Sequence, residues 1–344
     1  MIPGSAGRLT VALTMVFVCA CSRNRPPVEA IKQSPSAPLH QGPLTDYVPS
    51  AGLRWMFTGR PKDLANHPQF LAHAVRIISK NRLDTFAGSS GVRLLELPEG
   101  CIAGFDYGTL YLARVGAGTQ TVRKAFEVRL VSEPVVRSSR SGLTRMTGLV
   151  ANTPESLFTA DDDFVAVAVG DPLLSRIVEG FAVNRLKKSR PALQGAALGN
   201  LPGELEQAPL RFYAPGPFAN EWANAADGVL ARVFAVGAAM TLPNPSQLHI
   251  RLVLSGAFGP DLDETRNRLM TTWGRIQTSS VGHLLQLHEP SEPATFSVDS
   301  NTATVDVTFP IDSLMQGLSA AVIDDVTQFM GLGTTKTPVT PNEH

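Results

Sequence analysis

Two serine pairs are the first candidates for nucleophilic chemistry in this sequence. Residues 87–91 read Ala-Gly-Ser-Ser-Gly, and a serine between glycines is the nucleophile of many hydrolases when it follows a strand on a sharp turn. Here a helical stretch precedes the segment, and the pair recurs at Ser279 and Ser280 without a glycine before it. We therefore predict a structural role for Ser89 and Ser90. A hydrolase with an unrecognised site is the last-ranked of our hypotheses.

Histidines and acidic residues suggest two possible metal sites. His283, His288 and Glu289 are close in sequence, but a separation of five residues does not place two imidazoles on one helical face. The run Asp161–Asp163 lacks the alternate spacing and closing glutamate of known calcium loops, and is typical of a turn before a buried strand. We predict no metal and no cofactor.

An aromatic, proline-rich stretch is the candidate binding loop. It contains Tyr213 and Phe218 within Tyr-Ala-Pro-Gly-Pro-Phe, followed by Trp222. If it is exposed, such a stretch forms a recognition loop; if it is buried, it packs a helix onto a sheet. The sequence leaves both interpretations open.

Composition and missing motifs narrow the function classes. The chain has 344 residues with 30 basic and 30 acidic side chains, and this balance argues against a nucleic-acid binder, which needs a basic surface. We find no Walker loop, no His-Glu-x-x-His helix and no Cys-x-x-Cys pair. The sequence therefore favours a protein that is not an enzyme.

The amino terminus has the pattern of an export signal. Residues 9–20 (LTVALTMVFVCA) form an apolar run of 12 after Arg8, the length of a signal-peptide core and too short to span a bilayer. Val18-Cys19-Ala20-Cys21 resembles the lipobox of bacterial lipoproteins, with an aliphatic residue at −3, a small residue at −1 and then the lipidated cysteine. Cys19 at −2 departs from the usual Ala, Ser or Thr.

This resemblance implies that residues 1–20 are a signal peptide and that Cys21 carries acyl chains such as palmitate. Two or more chains anchor a protein stably, since each buried methylene contributes about 0.8 kcal/mol. Ser22 stands where an aspartate retains lipoproteins in the inner membrane, which implies the outer membrane, facing the periplasm or the cell surface. The body resembles uncharacterised Gram-negative envelope lipoproteins of unknown function, and that likeness implies no catalytic residue. Only Cys101 then remains, and its apolar surroundings predict a small buried hydrophobe.

The elements behind these residues alternate between helix and strand. Apolar residues recur at helical spacing in 70–78, 173–181 and 311–329, and Asp171 with Pro172 can begin the second of these helices. Residues 164–169 (FVAVAV) are typical of a strand covered on both faces, while 248–254 and 303–309 alternate apolar and polar residues. A hairpin joins 295–299 to the last strand. The pattern predicts an α+β fold with antiparallel sheets.

An internal match suggests two related halves. Residues 86–99 laid over 276–289 agree at six of fourteen positions, including both serine pairs, and each copy precedes a hairpin and then a helical stretch. We predict two related halves, each an antiparallel sheet with helices packed on it. The predicted organisation is a signal peptide at 1–20, a Pro-rich tether at 21–50, halves at 51–200 and 201–330, and a disordered tail at 331–344.

These observations predict a lipid-anchored envelope protein, a non-enzymatic binding or assembly module. Its expected partners are the membrane, through acylated Cys21, and an envelope protein or lipid. An alternative is a carrier that holds a lipid or another hydrophobic ligand in an apolar cleft between the halves.

Overall fold

The computed structural model describes residues 42–319, apart from 117, 140, 162, 184–189, 202, 219–224 and 260. The predicted signal peptide, Cys21, Trp222 and the predicted tail lie outside the described residues. Within the described ranges, no helix has both the length and the apolar character needed to cross a membrane.

One continuous antiparallel sheet runs through the described part of the chain, with strand order β11-β12-β10-β9-β8-β1-β2-β3-β7-β6-β5-β4. The strands are β1 (Leu53–Gly59), β2 (Glu99–Phe105), β3 (Gly108–Arg114), β4 (Val135–Ser138), β5 (Thr144–Val150), β6 (Thr153–Ala160), β7 (Phe164–Gly170), β8 (Leu210–Pro215), β9 (Val233–Asn244), β10 (Gln247–Gly256), β11 (Thr295–Val298) and β12 (Thr302–Pro310). The predicted α+β fold with antiparallel pairing is confirmed.

Helices occupy the connections between the strands. They are α1 (Pro61–Ala65), α2 (Pro68–Ile77), α3 (Lys80–Ser90), α4 (Thr119–Arg129), α5 (Pro172–Ala182), α6 (Leu262–Thr278), α7 (Ser280–Leu284) and α8, described over 311–319. α2 and α5 confirm two of the predicted helices, and α8 confirms the described part of the third. The Asp171 side chain accepts a hydrogen bond from the Leu173 backbone N–H at 2.7 Å, as the capping argument predicts.

The register of the sheet divides its side chains between two faces, because directly opposed residues of antiparallel strands point to the same side. One face, here called the α5 face, carries Ala103, Leu110 and Ala168 in the main core beneath α5. The other, the α4 face, carries one row of paired residues that crosses the whole sheet. The row is Val136, Met146, Leu157, Val167, Tyr111, Ile102, Phe57, Phe212, Ala238, Leu252, Val305 and Phe296.

Helices α4 and α6 both pack on the α4 face. Val122 and Phe126 of α4 pack against Leu157 and Val165 at one end of the sheet. At the other end, Leu269 of α6 packs in a cluster with strands β10 to β12. Val233 of β9 belongs to the same cluster as Leu269. Phe57 of β1 and Leu210 of β8 line a cavity beside α4.

Part of the range predicted for the tether packs into the core. Leu44–Tyr47 forms a turn of 3-10 helix, and Leu44 and Val48 are fully buried in the main core. Tyr47 stacks on Phe164 with ring centroids 4.7 Å apart. Apolar residues between prolines are enough to pack this segment against the core. The proline content of 22–50 gave no indication of this packing.

The two predicted halves share the sheet, because β1 pairs with β8 across their boundary. The local order of helix, hairpin and helix recurs, but the connections differ. β1 pairs with β2, the first strand of its hairpin, whereas β10 pairs with β12, the second strand of its hairpin. The structure does not confirm that the halves are related.

Candidate functional site

An apolar cleft of about 340 Å³ lies on the α4 face, between the sheet and helices α3 and α4. Its floor consists of strands β1, β2, β3, β6, β7 and β8, and its roof of α3, α4, Pro61 of α1 and the segment that joins α3 to β2. Phe57 lines the cleft and is 40% exposed, so the cleft reaches solvent at β1. Ligand pockets of small molecules commonly begin at about this volume.

The pairing register of the strands determines which side chains form the floor of the cleft. Ile102 on β2, Tyr111 on β3 and Val167 on β7 are mutually opposed, which makes a smooth apolar row along the centre. A parallel row contains Thr109, Val169 and Glu155, also opposed across three strands. β-branched and aromatic side chains suit this surface because they pack well on a pleated sheet.

The roof depends on helical spacing in α4. Val122, Phe126 and Arg129 lie four and three residues apart, so they share the face that α4 turns to the sheet. Gly91 ends α3 with φ +74°, and a Cβ atom there would lie 2.7 Å from the Val122 backbone nitrogen. The absence of a side chain at Gly91 is what lets α3 approach α4 this closely.

One end of the cleft carries an ion pair. Arg129 Nη2 donates to Glu155 Oε2 at 2.7 Å, with the two side chains 22% and 10% exposed. The Arg129 guanidinium also lies over the Phe126 ring, 5.5 Å from its centroid. These two residues are the charged side chains among the described residues that line the cleft. Its wall is therefore electrically neutral overall when Glu155 is ionised.

Burial governs the titrating groups of the cleft. Desolvation raises the pKa of Glu155 above its ordinary value, and the neighbouring Arg129 charge offsets part of that effect. Burial, with a smaller effect of the Glu155 charge, raises the pKa of Tyr111. The Tyr111 phenol is therefore neutral at physiological pH.

Both serine pairs lie at helix ends. The Ser90 hydroxyl donates to the Phe86 carbonyl at 2.7 Å and accepts from the Val92 N–H at 3.1 Å. The Ser279 hydroxyl donates to the Ile276 carbonyl and accepts from the Gly282 N–H, capping α7. These hydroxyls therefore complete the hydrogen bonding of helix ends.

The structure brings His283 and His288 together, contrary to the spacing argument. Their ring centroids lie 4.5 Å apart. The argument assumed one continuous helix, but α7 ends at Leu284 and the chain turns back through Gln286, which has φ +59°. Within the described residues, no group of three or more His, Cys, Asp or Glu side chains could hold a metal ion.

Tyr213 and Phe218 of the aromatic stretch lie in two different hydrophobic clusters. Tyr213 is 2% exposed and lies in the main core on the α5 face. Phe218 packs, partly buried, against a separate cluster that includes Phe258 and Leu269. Trp222 lies outside the described residues, so a binding loop formed by the three residues stays a prediction. Tyr213 itself is not at the surface.

Cys101 is the buried hydrophobe that its surroundings predict. It is 2% exposed, and burial raises the pKa of its thiol. A second cavity, beneath the α5 face, is lined by His249 and Arg251, with Arg251 Nε donating to Asp306 Oδ1 at 2.8 Å. Leu205, Ala208 and Ala239 form the apolar part of its wall.

Sequence reasoning missed the cleft and its ion pair. Arg129 ends a helix and Glu155 lies 26 residues later on a strand, so no short motif joins them. The available signal was Glu155 itself, a charged residue that precedes the apolar residues of β6.

Comparisons with known proteins give a distant structural similarity. The sequence matches no protein-family model and no curated protein. Among solved structures, crystal form IV of TP0453 is similar to this chain with a TM-score of 0.46 and 12% identity, over 82% of this chain and 96% of that chain. A similarity at this level says nothing about the function of this chain.

Proposed function

We propose that this protein is a lipid-anchored envelope protein that binds a hydrophobic ligand in the cleft between the sheet and helices α3 and α4. The cleft is the observation that supports binding. Its volume is about 340 Å³, its lining is mostly apolar, and it reaches solvent at Phe57. An apolar cavity kept open in a folded body costs stability, because its lining loses packing contacts, and a ligand restores them. The alternative from the sequence placed a cleft between the halves, whereas this cleft lies mainly in the first half.

The expected affinity follows from the apolar surface that a ligand would bury. Each buried methylene contributes about 0.8 kcal/mol, so a ten-carbon chain gains roughly 8 kcal/mol before the cost of association. Association costs at least about 4 kcal/mol, which leaves roughly 4 kcal/mol and a dissociation constant near 1 mM for ten carbons. Binding of this strength suits a carrier that takes up its ligand and releases it again.

The anchor is the second part of the proposal. The lipobox pattern ending at Cys21 supports acylation, and Ser22 supports the outer membrane. The proline-containing segment after Cys21 would hold the body away from the bilayer, where a carrier can exchange ligand. The broader role as a binding or assembly module is compatible with the same anchor.

Co-purification tests the ligand. The full-length chain with Cys21→Ser is purified from a Gram-negative host without detergent, extracted with organic solvent and analysed by mass spectrometry. Ala113→Phe fills the cleft, while Ala238→Phe is the matched control, because Ala238 lies half-buried on the same face and does not line it. We expect bound lipid in the parent and in Ala238→Phe, and its loss in Ala113→Phe.

Binding of an uncharged fluorescent probe, N-phenyl-1-naphthylamine, provides a direct measurement on the same three proteins. Fluorescence enhancement is expected in the parent and the control variant only. A parent protein that carries no lipid and does not bind the probe would show that the cleft is not a binding site.

Fractionation tests the anchor. Intact mass measurement should show the added acyl chains on the wild-type protein, which should sediment with outer membranes. The Cys21→Ser variant should lack both properties. A wild-type protein that is soluble and unacylated would contradict the anchor.

We also propose that the stretches 86–99 and 276–289 derive from one duplicated unit. The six matched positions and the recurring order of helix, hairpin and helix support this. Sequences of homologous chains should retain the matched residues in both copies. Their independent loss in close homologues would argue against duplication.

A further inference from the structure

The charge balance of the cleft wall restricts the ligand that it accepts. Arg129 and Glu155 are the charged side chains among the described lining residues, and they are paired at 2.7 Å. The Glu155 side chain is only 10% exposed, so water screens this pair weakly. A ligand that enters this end of the cleft therefore meets a wall whose charges already cancel.

An anionic headgroup would disturb this balance. A carboxylate beside Arg129 would leave two negative groups competing for one guanidinium in a poorly solvated space, with a net charge of minus one. An uncompensated buried charge is strongly unfavourable, whereas a neutral polar group needs only a hydrogen bond. The pair therefore selects against free carboxylates and admits uncharged acceptors.

Hydrogen-bond donors remain for such an acceptor. A guanidinium has five N–H donors, and the bond to Glu155 uses Nη2. Arg129 Nε is shielded from solvent, so the donors that face a ligand are those of Nη1, for which the described residues provide no hydrogen-bond partner. Thr109 lies in the same cross-strand row as Glu155 and also lines the cleft, which adds an uncharged hydroxyl.

The remainder of the cleft suits one hydrocarbon chain. From the ion pair, the lining continues through Phe126, Val167 and Ile102 to Phe57, all of them apolar. A volume of about 340 Å³ is at the lower end of ligand pockets. This size favours a single chain over a lipid with two.

Resting on the proposed function, we infer that the ligand is a single-chain acyl ester or amide whose uncharged carbonyl meets Arg129 and Glu155, and not a free fatty acid. Arg129 donates to the carbonyl oxygen, while Glu155 holds the guanidinium and excludes a second carboxylate. Both are specificity-determining residues of the cleft.

Two probes of equal chain length test this inference: methyl decanoate and decanoate, each displacing N-phenyl-1-naphthylamine from the full-length Cys21→Ser chain at pH 8. The ester is expected to bind at least about tenfold more tightly than the acid, which corresponds to about 1.4 kcal/mol. Glu155→Gln gives the wall a net positive charge, so the preference should move at least about tenfold toward decanoate. The double variant Arg129→Gln/Glu155→Gln restores neutrality and should again favour the ester.

The outcomes separate the two proposals. If the parent protein binds decanoate as tightly as the ester, or more tightly, the inference about ligand class is wrong while the binding cleft stands. If N-phenyl-1-naphthylamine does not bind the parent protein, the proposed function fails and this inference fails with it. The comparison of ester with acid on the parent protein needs no further variant. The test is therefore decisive even if the Glu155→Gln chain does not fold.

Discussion

Replacing Gly91 by alanine tests how the roof of the cleft is held. Gly91 has φ +74°, a backbone conformation that costs a residue with a side chain about 1 to 3 kcal/mol. The new Cβ would also lie 2.7 Å from the Val122 backbone nitrogen, so α3 must move away from α4. Forced overpacking of this kind costs a further 1 to 3 kcal/mol or so.

Gly88→Ala is the matched control, because Gly88 lies one turn earlier in the same helix and a Cβ there meets nothing within 4 Å. Alanine is the better helix former, so this variant should gain roughly 0.5 to 1 kcal/mol. Gly91→Ala should lose about 2 to 6 kcal/mol in total. For a chain of this size, that loss lowers the melting temperature by about 4 to 12 °C, and the control should raise it by about 1 to 2 °C.

Thermal unfolding followed by circular dichroism measures both variants, and N-phenyl-1-naphthylamine binding reports on the cleft. Gly91→Ala should also weaken probe binding, because Phe86 and Ser90 of α3 line the cleft and would be displaced. Equal melting temperatures for Gly88→Ala and Gly91→Ala would refute the close approach of α3 to α4.

Three further predictions follow from burial. Phe126→Ala should lower the free energy of unfolding by about 3 to 5 kcal/mol in urea titrations, because Phe126 is 3% exposed. Val128 on the same helix is 86% exposed, so Val128→Ala should change that free energy by less than about 0.5 kcal/mol. Burial raises the pKa of Glu155, so its contribution to stability is complete below the unfolded carboxyl pKa of about 4.3 and is lost as pH rises through the folded value. The stability of the wild type relative to Glu155→Gln should therefore fall from pH 4 to pH 8, and a constant difference would contradict this. Burial also raises the pKa of the Cys101 thiol, so this thiol should resist iodoacetamide at pH 8 until urea unfolds the chain. Mass spectrometry measures the alkylation. Alkylation of the native protein would place the thiol at the surface.

Elements with strong local signals were predictable. The alternation in 248–254 and 303–309 specifies one apolar face each, and β10 and β12 pair so that Ile250 lies opposite Val307. The cap at Asp171 depends only on its neighbours in sequence. In contrast, the prolines around Leu44 and Val48 suggested a tether because burial against a distant core leaves no local signal.

The candidate site was much less predictable. The spacing argument for His283 and His288 considered a helical face only, and the turn at Gln286 that brings their rings together was not visible in the pattern. The aromatic stretch could not be divided between core and surface, because aromatic residues occur in both. Tyr213 proved to be buried.

The sequence by itself determined the α+β class, the main helices and strands and the buried character of Cys101, because periodicity, caps and apolar runs act over a few residues. Only the tertiary structure decided that twelve strands share one sheet and that β1 joins the two halves. It also decided the cleft, since Arg129 and Glu155 meet only when α4 crosses the strands in a particular register. Register and helix placement depend on contacts between distant residues, which no local pattern specifies.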